Sequence, residues 1–85
     1  MNIIYLHGFQ SSSLSIKGQQ IKAFCQQQNN FEVYLPDLNM PPKQALAYVS
    51  DMIATLDQVV LIGSSLGGFY ATQLVAKHGV PAVLI

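Results

Sequence analysis

A G-x-S-x-G pattern at residues 63–67 has the residue types of a nucleophilic serine turn, with Ser65 at its centre and Gly63 and Gly67 on either side. The pattern lies directly between an apolar run, residues 59–62, and a helical segment, which is the strand-turn-helix setting of a nucleophile elbow. Such a turn forces the serine into a strained backbone conformation, and a Cβ at either glycine would clash with neighbouring backbone. We therefore predict Ser65 as a nucleophile at a helix N-terminus, where developing negative charge is stabilised.

Two other interpretations of this turn stay open: an anion-binding turn and a purely structural one. A phosphate-binding P-loop has Lys and then Ser or Thr after its last glycine, whereas Gly67 is followed by Gly68 and Phe69. The dinucleotide pattern G-x-G-x-x-G is also absent. Both comparisons favour the nucleophile elbow. Within it, we predict that Gly68 lets the helix approach the sheet closely.

A second candidate segment is His7, Gly8 and Phe9, directly after the first apolar run. An acyl-transfer serine needs backbone N–H donors for the developing oxyanion, and one commonly comes from the loop after an earlier strand. We predict that the N–H groups of Phe9 and Leu66 are these donors. Gly8 would let the backbone turn sharply, and His7 is expected to hold this loop rather than to act as the base.

The elements that must position these residues alternate between strand and helix patterns. Apolar strand runs occur at residues 3–6, 31–35, 59–62 and 81–85, and helical periodicity occurs at about 14–28, 43–56 and 65–78. This alternation predicts an α/β fold with a parallel sheet of about four strands and helices on both faces. With strand order 2-1-3-4, the chain leaves the first and third strands in opposite directions, and the resulting crevice would be lined by both candidate segments.

The helical periodicity also predicts which side chains are buried. Cys25 lies in the apolar pattern of the first helix with Phe24, so we expect a buried small hydrophobe. Gly79 follows Lys77 and His78 and is a natural residue to end the third helix. The apolar face predicted for the third helix consists of Leu66, Phe69, Tyr70, Leu74 and Val75.

The composition of the 85 residues excludes several classes of protein. Apolar residues make up 51% and charged residues 9%, which is the opposite of a disordered chain. The chain has four lysines, no arginine and a net charge of zero. It therefore lacks the concentrated positive charge that nucleic-acid binding needs. One cysteine and two distant histidines predict neither a disulfide framework nor a metal site, and we expect no cofactor. No apolar stretch has the length of a membrane helix or signal peptide, so we expect a cytoplasmic protein.

The segments 6–12 (LHGFQSS), 35–38 (LPDL), 62–72 (IGSSLGGFYAT) and 81–83 (PAV) together are more specific than G-x-S-x-G alone. They resemble the YqiA-like bacterial esterases, and the whole chain resembles the N-terminal half of an α/β-hydrolase domain. The resemblance implies a compact serine hydrolase that acts on a small-molecule acyl ester or thioester, with Ser65 as its nucleophile. Asp37 matches a loop position that the superfamily uses structurally, not catalytically.

In this superfamily the catalytic acid and histidine follow the serine in the chain. His78 would lie roughly 20 Å from Ser65 along one helix, and Asp51 and Asp57 belong at the opposite end of the sheet. We therefore expect both partners beyond Ile85, with residues 1–85 as the N-terminal portion of one domain that is inactive alone. The alternative is a non-catalytic fragment or interaction module. The strand from Val80 to Ile85 has a free apolar edge, which predicts self-association or pairing with a C-terminal half.

Overall fold

The computed structural model describes residues 1–8, 16–28 and 30–85. Phe9 and the predicted first residues of the first helix, 14 and 15, lie outside the described residues. Strands and helices alternate along the chain, as the sequence predicts. Their bounds are β1 Asn2–Leu6, α1 Ile16–Gln26, β2 Glu32–Tyr34, α2 Pro42–Thr55, β3 Val59–Gly63, α3 Leu66–His78 and β4 Ala82–Leu84.

The four strands form one parallel sheet in the order β2-β1-β3-β4, which confirms the predicted topology. β1 is central and pairs along its whole length with β3, from Asn2 opposite Val59 to Leu6 opposite Gly63. Because parallel strands end at the same edge of the sheet, this register brings the residues after Leu6 next to the residues after Gly63. The crevice between β1 and β3 that the strand order predicts is therefore present.

The two faces of the sheet pack against different helices. Ile4, Leu6 and Leu61 belong to a core cluster with buried residues of α2 and α3. Ile3 and Ile62, which point to the other face because side chains alternate along a strand, line a groove with α1. Helices thus cover both faces, as predicted, with α2 and α3 together on one side and α1 on the other.

The ends of α2 and α3 follow from their local sequences. α2 starts with Pro42 at its first position, where the missing N–H has no helical partner in any case. α3 ends at Gly79, whose φ of 69° is the left-handed conformation that favours glycine, and the Gly79 N–H donates to Val75 O. This termination confirms the prediction made from the sequence.

The rotation of two helices differs from the apolar faces predicted by periodicity. In α3, Phe69 is 54% exposed and Val75 is 36% exposed, so the prediction that they belong to the buried face is wrong. Tyr70 and Leu74 are buried as predicted, and Gly67 and Ala71 complete the buried face. Gly67 lies against β1, and this contact sets the rotation of the helix about its axis.

The first helix shows the same kind of difference. Phe24 is 63% exposed, contrary to its expected position on the apolar face of α1. Cys25 is buried, which confirms the expectation for that residue.

The second and fourth strands are three residues each and shorter than predicted. In the described part of the chain, no helix is long and apolar enough to cross a membrane.

Candidate active site

Ser65 lies in the turn between β3 and α3 and has the backbone geometry expected of a strained elbow. Its φ of 58° and ψ of −121° fall in a region that L-residues other than glycine rarely adopt. The residue is exposed, and its side chain makes no capping hydrogen bond to α3. Ser64, by contrast, is half-buried, and its N–H donates to Leu6 O at 3.1 Å. The turn therefore presents the Ser65 hydroxyl to solvent and ties Ser64 to β1.

Gly63 and Gly67 make this turn possible because the backbone passes too close for a side chain at either position. A Cβ on Gly67 would overlap the carbonyl group of Leu6, and a Cβ on Gly63 would lie 2.5 Å from the carbonyl oxygen of Gly67. Both contacts are with backbone atoms, which cannot move aside as a flexible side chain can. The steric role predicted for these two glycines is therefore supported by the structure.

Gly68 does not share this constraint. A Cβ there would meet Leu84 Cδ2 at 3.7 Å and Gly63 O at 3.8 Å, which are ordinary van der Waals distances. The prediction that Gly68 is needed for a close approach of α3 to the sheet is therefore wrong. Gly67, one residue earlier, makes that approach.

Gly8, after β1, lies directly beside the serine. A Cβ on Gly8 would be 2.9 Å from Ser65 Cβ and 3.6 Å from Ser65 Oγ. The two candidate segments, which are 57 positions apart in sequence, therefore meet at the carboxyl edge of the sheet. A side chain at position 8 would occupy the space next to the Ser65 hydroxyl.

The N-terminus of α3 leaves a donor next to Ser65. Gly67 N–H donates to Ser64 O and Gly68 N–H donates to Ser65 O, both at 2.9 Å. Leu66 N–H has no acceptor among the described residues, as expected for the first position of a helix. It is thus available as a donor, whereas Phe9, the other predicted donor, lies outside the described residues.

His7 is 3% exposed, and both nitrogens of its ring have hydrogen-bond partners. Nε2 accepts from Leu38 N–H at 2.8 Å, so it carries no proton. Nδ1 lies 3.0 Å from Gly8 O, which can only accept, so the ring proton is on Nδ1. A histidine in this arrangement has no nitrogen available to take a proton from Ser65. It joins the end of β1 to the loop that follows β2, in line with the expected loop-holding role.

Asp37 lies close to this histidine but bonds elsewhere. Its Oδ1 is 3.8 Å from His7 Nε2 and accepts from Asn39 N–H at 3.0 Å. Because His7 Nε2 is itself an acceptor from Leu38, the 3.8 Å contact is not an ion pair. Asp37 is 60% exposed and stabilises the turn of its own loop.

The other histidine is at the far end of α3. His78 Nε2 lies 2.8 Å from Ser50 Oγ of α2, in a partly buried contact between the two helices. Ser65 precedes the first residue of α3 and His78 is its last, so the length of the helix separates them. His78 therefore joins α2 to α3 and does not reach Ser65.

A cavity of about 310 Å³ opens beside the elbow. The sequence predicted His7, Gly8 and Leu66 at this site but did not single out Asn39, Met40 and Pro42. One signal for them was present: the loop after β2 must lie at the same sheet edge as the residue after β1. The described residues that line it are His7, Gly8, Leu38, Asn39, Met40, Pro42, Leu66 and Tyr70.

Within residues 1–8, 16–28 and 30–85, no three His, Cys, Asp or Glu side chains lie close enough together to hold a metal ion.

The residues of this site lie between His7 and Tyr70 in the chain, and a family model covers all of them. That model, described as Uncharacterised protein family (UPF0227), matches residues 2–85, and the chain therefore belongs to this family.

Proposed function

We propose that this chain carries the nucleophile of a serine hydrolase that cleaves carboxylic acyl esters. The observation that carries the proposal is the conformation of Ser65, with φ 58° at the junction of β3 and α3. Strained backbone of this kind concentrates at functional sites, where it fixes the position of a reacting group. The exposed hydroxyl and the free N–H of Leu66 on the adjacent residue support the same chemistry.

The reaction proceeds by attack of Ser65 Oγ on the ester carbonyl carbon, with transfer of the hydroxyl proton to a general base. The carbonyl oxygen becomes an oxyanion, and the N–H groups of Leu66 and Phe9 donate to it. Collapse of the tetrahedral intermediate breaks the bond to the alcohol oxygen, which leaves with the proton. Water then attacks the acyl-serine in the same way and releases the acid.

The general base must be a group other than the two histidines of residues 1–85. Both nitrogens of His7 have partners, and His78 is bonded to Ser50 at the other end of α3. We propose that the base and the acid that orients it come from outside residues 1–85. A thioester would undergo the same attack, with a thiol as the leaving group.

The test uses the complete protein, including any segment that follows residue 85, with Ser65→Ala and Ser64→Ala as a matched pair. Turnover of p-nitrophenyl butyrate and covalent labelling by a fluorophosphonate, located by mass spectrometry, are measured. We expect Ser65→Ala to lower kcat by several orders of magnitude and to abolish labelling. Ser64→Ala should retain both, because Ser64 interacts with β1 through its backbone. Labelling at another serine, or full turnover by Ser65→Ala, would exclude the proposed nucleophile.

A second measurement tests the assignment of the base. His78→Asn should retain turnover, since His78 lies at the far end of α3. Residues 1–85 alone should hydrolyse the ester near the background rate, because a serine hydroxyl is a weak nucleophile without a base. Robust Ser65-dependent turnover by residues 1–85 would contradict this expectation, and His7 would then be the first candidate for the general base.

A further inference from the structure

We propose that the cavity beside Ser65 is an acyl-binding pocket for short, uncharged acyl chains, and that Met40 sets the length of chain it accepts. The proposal rests on the proposed function, because it names the substrate class of that same site. It depends on the position, the charge and the size of the cavity, and on how its outer wall is fixed.

The cavity reaches the residues on both sides of the serine. Gly8 and Leu66 line it, and Leu66 follows Ser65 in the chain. Gly8 is so close that a Cβ on it would lie 3.6 Å from Ser65 Oγ. An ester carbonyl within reach of both Ser65 Oγ and Leu66 N–H therefore has this cavity as a neighbouring space for one of its substituents.

The walls favour an apolar, uncharged substituent. Leu38, Met40, Pro42, Leu66 and Tyr70 line the cavity. Asn39 adds one neutral polar side chain, and none of the described lining residues is Lys, Asp or Glu. His7 also lines it, but its ring is in a neutral form with both nitrogens engaged. A charged group on the acyl chain would lose its hydration here without gaining an opposite charge.

The size of the cavity limits the length of the chain. A volume of about 310 Å³ is at the lower end of the range for small-molecule sites. With roughly 30 Å³ for each water-sized group, this space holds about ten such groups, so an acyl chain of up to about eight carbons would fill it. Longer chains would extend past the walls into solvent and gain little from further carbons.

One wall is fixed and one residue on it is replaceable. Leu38 is 4% exposed and belongs to the core cluster, and its N–H is held by His7 Nε2. Met40 N–H donates to Leu38 O at 2.8 Å, so Met40 is held next to this anchor. Met40 is only partly buried and packs against the core from outside, so a change in its side chain should alter the cavity more than the fold.

The first experiment measures kcat/KM of the complete protein for p-nitrophenyl esters from acetate to palmitate. We expect kcat/KM to rise about fourfold per methylene up to roughly eight carbons and then to level off or fall. Met40→Ala should move the optimum to longer chains by about two carbons, because it removes three heavy atoms from the wall. Met40→Trp should move it to shorter chains and lower kcat/KM for the octanoate at least tenfold.

Met52→Ala is the matched control. Met52 is also partly buried and packed against the core, but it does not line the cavity, so its chain-length profile should match that of the unmodified protein. A p-nitrophenyl monosuccinate, with a charged acyl end, should be hydrolysed at least 100-fold more slowly than the hexanoate. A profile that is flat from acetate to octanoate, or that shifts equally in the Met40 and Met52 variants, would overturn the proposal.

The second experiment measures binding without chemistry, which separates failure of the pocket from failure of the proposed function. Hexanamide is titrated into the Ser65→Ala protein, with ¹³C-labelled methionine methyl groups followed by NMR. We expect saturable shifts of the Met40 methyl signal and no change for Met52, and an unmoved Met40 signal would overturn the pocket. Binding at Met40 with no turnover of any ester would support the pocket and contradict the hydrolase.

Discussion

The Cα of Gly67, at the start of α3, lies so close to the carbonyl group of Leu6, at the end of β1, that no Cβ fits between them. Leu6 O also accepts the N–H of Ser64. The last peptide of β1 therefore fixes the elbow on both sides of Ser65. This relationship explains why the serine turn and the loop after β1 occupy one site.

The first prediction compares neighbouring glycines of α3. Gly67→Ala should destabilise the protein by about 1–3 kcal/mol or more, because its Cβ would overlap the backbone of Leu6. Gly68→Ala should be neutral or stabilising by up to about 1 kcal/mol, since its Cβ meets only ordinary contacts and alanine favours a helix. Thermal unfolding followed by circular dichroism measures both. Equal melting temperatures for the two variants would contradict the close approach assigned to Gly67.

The second prediction concerns the strain at Ser65. Glycine adopts a φ of 58° without the steric cost that serine has, so Ser65→Gly should stabilise the protein by about 1 kcal/mol. For a chain of this size the melting temperature should rise by about 4–8 °C. Ser65→Ala keeps the Cβ and should not show this gain. A melting temperature of Ser65→Gly at or below that of Ser65→Ala would mean that the turn is not strained.

The third prediction tests the bond between His7 and the loop after β2. His7→Leu leaves the buried N–H of Leu38 without an acceptor and should cost about 1–3 kcal/mol. His7→Gln carries a side-chain oxygen near the former position of Nε2 and should recover part of that stability. Denaturant unfolding gives the free energies, and hydrogen exchange of the Leu38 amide identifies the bond. Unchanged exchange of that amide in His7→Leu would contradict the assignment.

The fourth prediction concerns the outer edge of β4, which pairs with no other strand among the described residues. Val83, Leu84 and Ile85 are 51%, 60% and 53% exposed, and no charged residue interrupts them. We propose that this edge pairs with a second copy of residues 1–85, since nothing on it opposes strand pairing. Sedimentation should show association that increases with concentration, and Val83→Lys should weaken it.

The matched control for this edge is Ala54→Lys, which adds the same charge at an exposed position of α2, on a helix that does not border β4. It should leave association unchanged. Association that is equally weak in both variants would reflect net charge and not the strand edge. A monomer at all concentrations would contradict pairing between copies, and recovery of association only with a later segment of the protein would assign the edge to that segment.

The sequence alone was sufficient for the features that depend on local chemistry. Short β-branched runs and helical periodicity predicted each element. Their alternation predicted a parallel sheet, because parallel strands need a long crossover connection and a helix usually supplies it. The G-x-S-x-G turn predicted strain at Ser65, since its position between a strand and a helix leaves no room for a regular conformation. The end of α3 at Gly79 likewise depends on one residue and its φ of 69°.

The tertiary structure alone decided what depends on contacts between distant residues. Periodicity placed Phe69 and Val75 on the buried face of α3, but the contact of Gly67 with β1 rotates the helix so that both are exposed. The bond from Leu38 to His7 joins residues 31 positions apart and has no local signature. The cavity beside Ser65 depends on that bond, because the bond holds the loop that carries Met40 next to the elbow. A sequence pattern depends on the conformation of neighbouring residues. Which faces of the helices and strands come into contact depends on how these elements pack together.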